Sequence, residues 1–301
     1  MKKMIFVLSL TLGLLVSAGL VACGSSDSED EKGSGEQQVY DSGSFDFSAK
    51  NSDGVTIYYN YLNSEEVEVT FAKNDYYYGY LGYEKLKKIR IPSTVTTNGR
   101  TLKVTRIGKE AFVTSEGLLQ SIAIPNSITS MGDGALGFAE KIIVSDIAAW
   151  CNIKFESAPL YLGGVGGRHI YSNENTEITS LTIPSGVTTI ADEAFEGCES
   201  ITEISLPSTL EKIGKSAFSD CYITAITIPS SVKEIGYYAF STNTLLNVTS
   251  LIEEPMPFAV ALGSFFADKT FKNGTLYVPK GTLSKYKDTN GWSNFLFIEE
   301  L

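Results

Sequence analysis

Histidine is nearly absent from this sequence of 301 residues, since His169 is the single copy. Zinc sites built from several imidazoles are therefore excluded, and any Ser-His-Asp or Cys-His arrangement would have to include this residue. His169 follows a Gly-Gly-Arg stretch, where an exposed loop or strand-edge histidine is far more common than a catalytic base. The sequence predicts neither catalytic residues nor a metal site, and therefore no enzyme.

A complete phosphate-binding signature is also missing. The glycine-rich stretch GGVGG at residues 163–167 has no following helix start and no Lys-Ser/Thr pair, both of which a phosphate loop needs. A flexible turn is the better interpretation, and the sequence predicts no cofactor.

Positive charge is in the minority. There are 24 Lys and Arg against 35 Asp and Glu, which gives a formal net charge of −11. Because nucleic acids are bound mainly through positive charge on the protein, they are excluded as expected partners.

The N-terminus has the pattern of an export signal. Lys2 and Lys3 precede an apolar run from Met4 to Ala22. A run of that length could instead be a permanent transmembrane helix. It ends, however, in LVAC at Cys23, which resembles a bacterial lipobox, in which the cysteine thiol receives a diacylglycerol. Cleavage before Cys23 would remove residues 1–22 with two lysines, changing the net charge from −11 to −13.

Residues 23–43 are predicted to form a lipidated cysteine followed by a flexible acidic tether. The stretch GSSDSEDEKGSGEQQ has too little apolar surface to order itself. Acidic residues soon after the cysteine resemble the signal that directs lipoproteins of Bacteroides-type bacteria to the outer face of the outer membrane. We therefore expect an exported, surface-exposed lipoprotein of the outer membrane, which contacts the membrane only through its lipid.

A repeat of 22–24 residues fills the middle of the chain. Its clearest copies begin at Ile178, Ile201 and Ile223, at spacings of 23 and then 22 residues. Earlier copies begin at Leu86 and Leu119, which gives about five recognisable copies. A fixed period of this length is typical of stacked repeat units.

Each copy combines a strand pattern with a second apolar segment. Apolar residues alternate up to a proline, which ends the strand because it lacks a ladder donor, and then recur toward an Ala-Phe pair. A glycine precedes that pair in most copies, at Gly214 for example, and is predicted to give a tight corner its backbone freedom; Ala191 is the exception. The predicted repeat core contains Phe112, Phe195, Phe218, Phe240, Ile204, Leu206 and Ile213.

The repeat, roughly L-x-x-I-x-I-P-x-x-V-x-x-I-G-x-x-A-F, resembles the BspA-like leucine-rich repeat family over residues 86–252, with an insert at 145–177. This resemblance implies a mainly β solenoid. It also implies adhesion to host matrix proteins or to other cells, although a fold analogy alone does not identify a ligand.

A solenoid needs protected ends. We expect a β-hairpin cap at 44–85 and an α+β cap at 253–301.

A carboxylate pair and a cysteine pair could each suggest chemistry, but we interpret both as structural. Asp192 and Glu193 are a candidate carboxylate pair for glycoside hydrolysis, but they lie at a repeat corner where other copies carry different residues, so we interpret them as solvated surface. Cys198 and Cys221 occupy the same place in successive copies. Their spacing would permit a disulfide, but buried free thiols are favoured because that position faces inward in such repeats.

The candidate binding surface is the outward side of the repeat strands. Small polar and threonine side chains there suit contact with an extended macromolecule, but equally suit a solvated face of high β propensity. The outward positions are Lys88, Arg90, Ser121, Ala123, Ser180, Thr182, Glu203, Ser205, Ala225 and Thr227.

A tyrosine cluster is the second candidate, because tyrosine brings contact area at little entropic cost. Packing within the N-terminal cap explains it equally well. The cluster consists of Tyr76, Tyr77, Tyr78, Tyr80 and Tyr83. Since aromatic platforms also stack on sugar rings, the alternatives rank as an adhesin or protein-binding module, then a surface glycan-binding lipoprotein, then an enzyme.

Overall fold

The computed structural model describes most of the chain beyond the predicted tether. The predicted signal peptide, Cys23, the tether, the GGVGG stretch and the run Tyr76–Tyr78 lie outside the described residues. Among the residues that are described, no helix has the length and apolarity needed to cross a membrane. The described residues are 45–75, 79–83, 85–113, 119–156, 168–257 and 264–301, with only the backbone described at 73–75 and 79–81.

Short strands dominate the first half of the structure, with one short helix. The elements in chain order are β1 (Phe47–Lys50), β2 (Thr56–Tyr61), β3 (Glu66–Thr70), β4 (Lys73–Asp75), β5 (Gly79–Leu81), β6 (Lys88–Arg90), β7 (Thr94–Thr97), β8 (Arg100–Ile107), β9 (Ser121–Ile124), β10 (Ser130–Met131), β11 (Lys141–Val144), α1 (Ile147–Cys151), β12 (Lys154–Phe155), β13 (Ile170–Asn173) and β14 (Thr176–Glu177).

The second half continues the same pattern and adds two short helices near the C-terminal end. Its elements are β15 (Ser180–Thr182), β16 (Thr189–Ile190), β17 (Glu203–Ser205), β18 (Lys212–Ile213), β19 (Ala225–Ile228), β20 (Glu234–Ile235), β21 (Asn247–Ser250), α2 (Asp268–Asn273), β22 (Thr275–Val278), α3 (Leu283–Asp288) and β23 (Phe297–Glu300). A single 3-10 turn covers Trp292–Asn294. The predicted mainly β repeat architecture is confirmed.

Successive repeats stack through parallel strands in register. The strands that precede the repeat prolines join one series of ladders together with other strands. In this series β6, β9, β11 and β13 are neighbours, β15 pairs with β17, and β19, β21, β22 and β23 follow one another. The short strand before each corner forms a second series, in which Ile190, Ile213 and Ile235 are direct partners. All three isoleucines are buried. One repeat of the sequence therefore corresponds to one step from a strand to its neighbour in the ladder.

The first strands of the structure form an antiparallel hairpin that joins the stack. β1 pairs with β2 and β2 with β3, and β3 then pairs in parallel with β8. Ile57, Tyr59, Val67 and Val69 alternate inward and are almost completely buried. The hairpin thus pairs with the strand edge that β8 would otherwise leave open.

The third side of the stack is a column of phenylalanine rings. Phe195, Phe218 and Phe240 are fully buried, and their ring centroids lie 5.5 and 5.6 Å apart in stacked orientations. Phe266, which lies beyond the last predicted repeat, extends the column with a centroid 5.7 Å from that of Phe240. Backbone N–H groups also bridge neighbouring repeats, as from Phe218 N to the Ala239 carbonyl at 2.8 Å.

Two predicted core residues differ from the others. Ile204 and Leu206 are only partly buried, although both pack against the core. The strand ladder is interrupted between β17 and β19, which belong to different sheets, so Ile204 lacks a close partner on one side. Leu206 follows the end of β17. The remaining predicted core residues, Phe112 and Ile213 among them, are buried.

The corner glycines are required for a different reason from the predicted one. The φ angles of Gly132, Gly214 and Gly236 are not positive. Instead, a methyl group at Gly214 would lie 2.4 Å from the backbone nitrogen of Asp192 in the preceding repeat. The glycine is needed for close approach between repeats. Ala191 is tolerated because its copy follows the insert, where the neighbouring backbone is that of Cys151 rather than another corner.

Positive φ angles occur two residues after each of these corner positions. Glu110, Glu193, Ser216 and Tyr238 have φ between 49° and 61°, and Gly134 occupies the equivalent place with φ 56°. The left-handed turn therefore tolerates side chains in four of the five copies.

The three cysteines of the described region are free and buried. Cys198 and Cys221 are fully buried thiols rather than a disulfide, and Cys221 Sγ donates to the Phe195 carbonyl at 3.2 Å. Burial raises the pKa of Cys198 to about 12, and that of Cys151 in the insert to about 12 as well. They act as small core residues and are unreactive at neutral pH.

The stacking in the phenylalanine column predicts that removing one ring destabilises the protein. Phe218→Ala removes a ring stacked between two others, so we expect the free energy of unfolding to fall by about 3 to 5 kcal/mol through lost burial and the cavity left behind. Thermal or denaturant unfolding measures this, with Ser230→Ala at an exposed site as control. A shift no larger than that of Ser230→Ala would contradict the role of the column.

The corner glycine makes a second prediction. Gly214→Ala places a methyl group against the backbone of Asp192, so overpacking should destabilise the protein by about 1 to 3 kcal/mol. The matched comparison is Ala191→Gly, which adds no atom at the equivalent corner. Equal melting temperatures for Gly214→Ala and the wild type would show that this approach does not require glycine.

Candidate functional site

The outward side chains of β15, β17, β19 and β21 form one accessible surface, which we call the open face. Parallel pairing aligns Thr182 with Ser205 and Thr227 with Thr249, while Ser180 is aligned with Glu203. Neighbouring strands of a sheet are about 4.8 Å apart, so these side chains form short regular rows. The open face comprises Ser180, Thr182, Glu203, Ser205, Ala225, Thr227, Asn247 and Thr249, of which all but the half-buried Thr249 are exposed.

The same side of the sheet is covered in the first half of the stack. Ser121 and Ala123, predicted to face solvent, are only 3% and 9% exposed. Glu174, in the turn between β13 and β14, reaches Lys88 and Arg90 at 3.7 and 3.8 Å on the far edge strand β6. That turn therefore lies over β9 and β11. The prediction that Ser121 and Ala123 contribute to an outward face is wrong, because the insert covers them.

Lys88 and Arg90 are exposed, but they belong to this covering contact. Arg90 Nε also lies 3.8 Å from Asp53 of the β1–β2 turn, and the Asn51 side chain donates to the Arg90 carbonyl at 2.8 Å. The two basic side chains thus hold two turns against the sheet edge. They are separate from the open face.

Tyr83 is the member of the predicted tyrosine cluster whose side chain the structure describes. Tyr83 is 3% exposed, its hydroxyl donates to the Thr70 carbonyl at 2.9 Å, and its ring centroid lies 4.8 Å from that of Phe112. Burial raises the pKa of Tyr83 well above its usual value. Tyr83 is therefore a core residue, and its prediction as a binding residue is wrong. Tyr80 lies in β5 with only its backbone described, and Tyr76–Tyr78 lie outside the described residues.

His169 is engaged by a carboxylate rather than by a nucleophile. Its Nδ1 lies 2.5 Å from Glu177 Oε1 across the β13–β14 pair. Burial raises the pKa of Glu177, but hydrogen bonds, with that of His169 the strongest, outweigh it and leave the pKa below its usual range. Within the described ranges, no group of three or more His, Cys, Asp and Glu side chains could hold a metal ion.

Arg168, next to His169, was not singled out by the sequence. Its side chain is 2% exposed, Nη1 donates to the Glu193 carbonyl at 3.1 Å, and Nη2 lies 3.8 Å from Glu196. It is a buried basic residue that links the insert to the following repeat. Nothing in the composition of GGVGGRH distinguishes such a residue from one in an exposed loop.

Asp192 is exposed, as predicted, whereas Glu193 is less solvated than predicted. Asp192 Oδ1 accepts a hydrogen bond from the Lys215 backbone N–H at 2.8 Å, and the Glu193 carboxylate, 15% exposed, pairs with Lys215 Nζ at 3.2 Å. Each carboxylate binds the next repeat. They join the repeats at the corner rather than forming an isolated catalytic pair.

The comparisons with known proteins concern the repeats. The model of the family described as "BspA type Leucine rich repeat region" matches six copies, over residues 54–136, 75–153 and 168–259. That is one copy more than the five identified from the sequence, and the match begins before residue 86. The comparison with curated proteins gave no significant match.

Solved structures with similar chains include a leucine rich cell surface protein from Faecalibacterium prausnitzii, which is 19% identical with a TM-score of 0.45, the alignment covering 84% of this chain and 72% of that one. A leucine-rich repeat protein from Bacteroides ovatus is 22% identical with a TM-score of 0.38, covering 81% of this chain and 51% of that one. Since the family model matches well over half of the sequence, this chain belongs to the BspA type leucine-rich repeat family.

Proposed function

We propose that this protein is a non-enzymatic binding protein of the cell surface, which attaches to host matrix proteins or to other cells through the open face. The observation that carries the proposal is the accessibility of that face. Its side chains are exposed on β15, β17 and β19, whereas the equivalent positions on β9 are covered.

The composition of the open face supports a macromolecular partner. Its side chains are short hydroxyl groups, one amide, the methyl group of Ala225 and Glu203, presented on two parallel sheets that rest on a buried core. Short side chains lose little rotamer entropy when a partner covers them. A sheet surface of several strands can contact an extended partner at several successive repeats.

The predicted export signal and lipid attachment at Cys23 support a location on the outer face of the outer membrane. A lipid anchor with several acyl chains holds a protein stably on a membrane, since each buried CH₂ contributes about 0.8 kcal/mol. The acidic tether would let the repeats project from that surface. In such a place the partners available are extracellular proteins and the surfaces of other cells.

Binding is tested with two arginine substitutions. In Ser205→Arg and Thr227→Arg, a long charged side chain stands on the open face without entering the core. Against a panel of purified matrix proteins and intact bacterial cells, we expect each to weaken the wild-type binding at least tenfold in surface plasmon resonance or cell-attachment assays. Ser230→Arg, exposed outside the open face, is the matched control. Unchanged binding by both face variants would show that another surface carries adhesion.

The anchor is tested by metabolic labelling with a fatty acid. The wild-type protein should incorporate the label and, by mass spectrometry, begin at Cys23, whereas Cys23→Ala should incorporate none because the acceptor thiol is gone. Ser25→Ala serves as control and should remain labelled. An unlabelled wild-type protein that retains residues 1–22 would instead favour a permanent transmembrane helix.

A further inference from the structure

The sheet that carries part of the open face continues beyond the repeats, onto β22 and β23. Parallel pairing aligns the outward residues of β21 with outward residues of these two strands, in two rows. The residues between the rows, such as Leu276, are buried. We call the open face together with the outward side of β22 and β23 the extended face. The residues added to the open face are Thr275, Tyr277, Phe297 and Glu299.

The charged residues of the extended face are all acidic. It contains Glu203 on β17 and Glu299 on β23, both exposed, but no lysine or arginine. Neither carboxylate forms an ion pair with another described residue, whereas exposed glutamates elsewhere do, as Glu234 does with Lys212 at 2.6 Å. Two negative charges therefore lie on one surface without a partner of opposite sign. Positive charge on a binding partner would be complementary to them.

The C-terminal end of the extended face is apolar. The Phe297 side chain is 52% exposed on β23, and Leu296, just before that strand, is 69% exposed. Adjoining apolar side chains that remain exposed beside polar ones are typical of an interaction surface, and an aromatic residue is often the anchor of such a surface. We therefore expect Phe297 to contact an apolar side chain of the partner.

The covered half of the stack shows how a chain segment can lie on this side of the strands. There the β13–β14 turn lies over β9 and β11, and its Glu174 reaches Lys88 and Arg90 on β6 at 3.7 and 3.8 Å. This contact leaves Ser121 only 3% exposed. The extended face carries the opposite charge, so a segment that crosses it in the same manner would present basic side chains.

The distance between the two carboxylates determines how far apart the basic residues should be. Four strand steps lead from β17 through β19, β21 and β22 to β23, which at about 4.8 Å each amounts to roughly 19 Å. An extended chain advances about 3.3 Å per residue, so basic residues about six positions apart would reach both Glu203 and Glu299. An even spacing also keeps both side chains on the same side of the segment.

Charge and apolarity together exclude other kinds of partner. A second copy of this chain would set its own Glu203 and Glu299 against the same acidic face, and like charges opposite each other are unfavourable. Acidic polysaccharides are unfavourable for the same reason. A neutral polysaccharide would contact Phe297 but would leave both carboxylates without an opposite charge.

We propose that the extended face binds an extended, basic polypeptide segment, with two basic residues about six positions apart and an apolar residue two positions before the second. The segment crosses the strands from β17 to β23. Its basic side chains pair with Glu203 and Glu299, and its apolar side chain packs on Phe297. This inference rests on the proposed function, because it names the class of partner for the face to which adhesion is assigned.

The proposal is tested by calorimetry of the full-length protein with a synthetic peptide of Ser, Thr and Gly that carries two lysines six positions apart and a leucine two positions before the second. We expect this peptide to bind, with affinity that falls as salt is added. Peptides with glutamines in place of the lysines, or with the two lysines adjacent, should bind at least tenfold more weakly.

Substitutions in the protein test the same contacts. Glu203→Lys, Glu299→Lys and Phe297→Ala should each weaken peptide binding at least tenfold. The matched controls Glu65→Lys and Tyr61→Ala, exposed on the N-terminal hairpin, should not. A peptide with glutamate in place of the second lysine should bind Glu299→Lys at least tenfold more tightly than it binds the wild type. Melting temperatures establish that each variant is folded.

Three results would overturn the proposal: no binding of the lysine peptide at millimolar concentration, equal binding of the lysine and glutamine peptides, or preferential binding of a neutral polysaccharide such as dextran. Matrix-protein or cell attachment that Ser205→Arg and Thr227→Arg weaken, without any binding of the lysine peptide, would retain adhesion by the open face and reject only the basic segment. Loss of both kinds of binding in the wild type would reject both proposals.

Discussion

The in-register contact between one repeat and the next is the interaction on which the rest of the structure depends. Backbone hydrogen bonds, the column of phenylalanine rings and the corner glycines all act between neighbouring repeats. A single repeat has too little apolar surface to offset the entropy of ordering its chain, so it folds only against its neighbours. The stack therefore fixes the register of every outward side chain, and the extended face is a product of that register.

Two chemically different surfaces result from the same frame. On the strands, register produces rows of short polar side chains such as Thr182 and Ser205, which give a flat surface. At the corners, the chain turns and the stacked residues Asp192, Lys215 and Tyr237 border a concave space instead. The strand surface and the corner surface differ because the backbone is extended in one and turned in the other. Overall composition does not explain the difference, since each surface is built from equivalent positions of the same repeats.

The sequence was sufficient for the repeat architecture, because the period and the positions of Phe195, Phe218 and Phe240 directly express the stacking. The sequence did not predict which residues are buried where a segment folds back over the repeats. The burial of Ser121 and Ala123 depends on a turn that carries Glu174, more than fifty residues later, and no local pattern signals that contact. Tyr83 likewise cannot be told from the rest of the tyrosine cluster by composition, but its ring packs on Phe112. A column such as Asp192, Lys215 and Tyr237 can be found only by aligning the repeats and examining the variable position.

The corner column separates the residues that hold the fold from those that line the concave space at the corners. The small corner residue and the buried Ala-Phe pair set the backbone, while the residue just after the corner position is an acid, a base or an aromatic in three successive copies without altering that backbone. Chemistry at the surface can thus change by single substitutions that leave folding intact. Adding or deleting one whole repeat would lengthen or shorten the exposed surface by one strand spacing, so that such a protein can match the length of an extended partner simply by its number of copies.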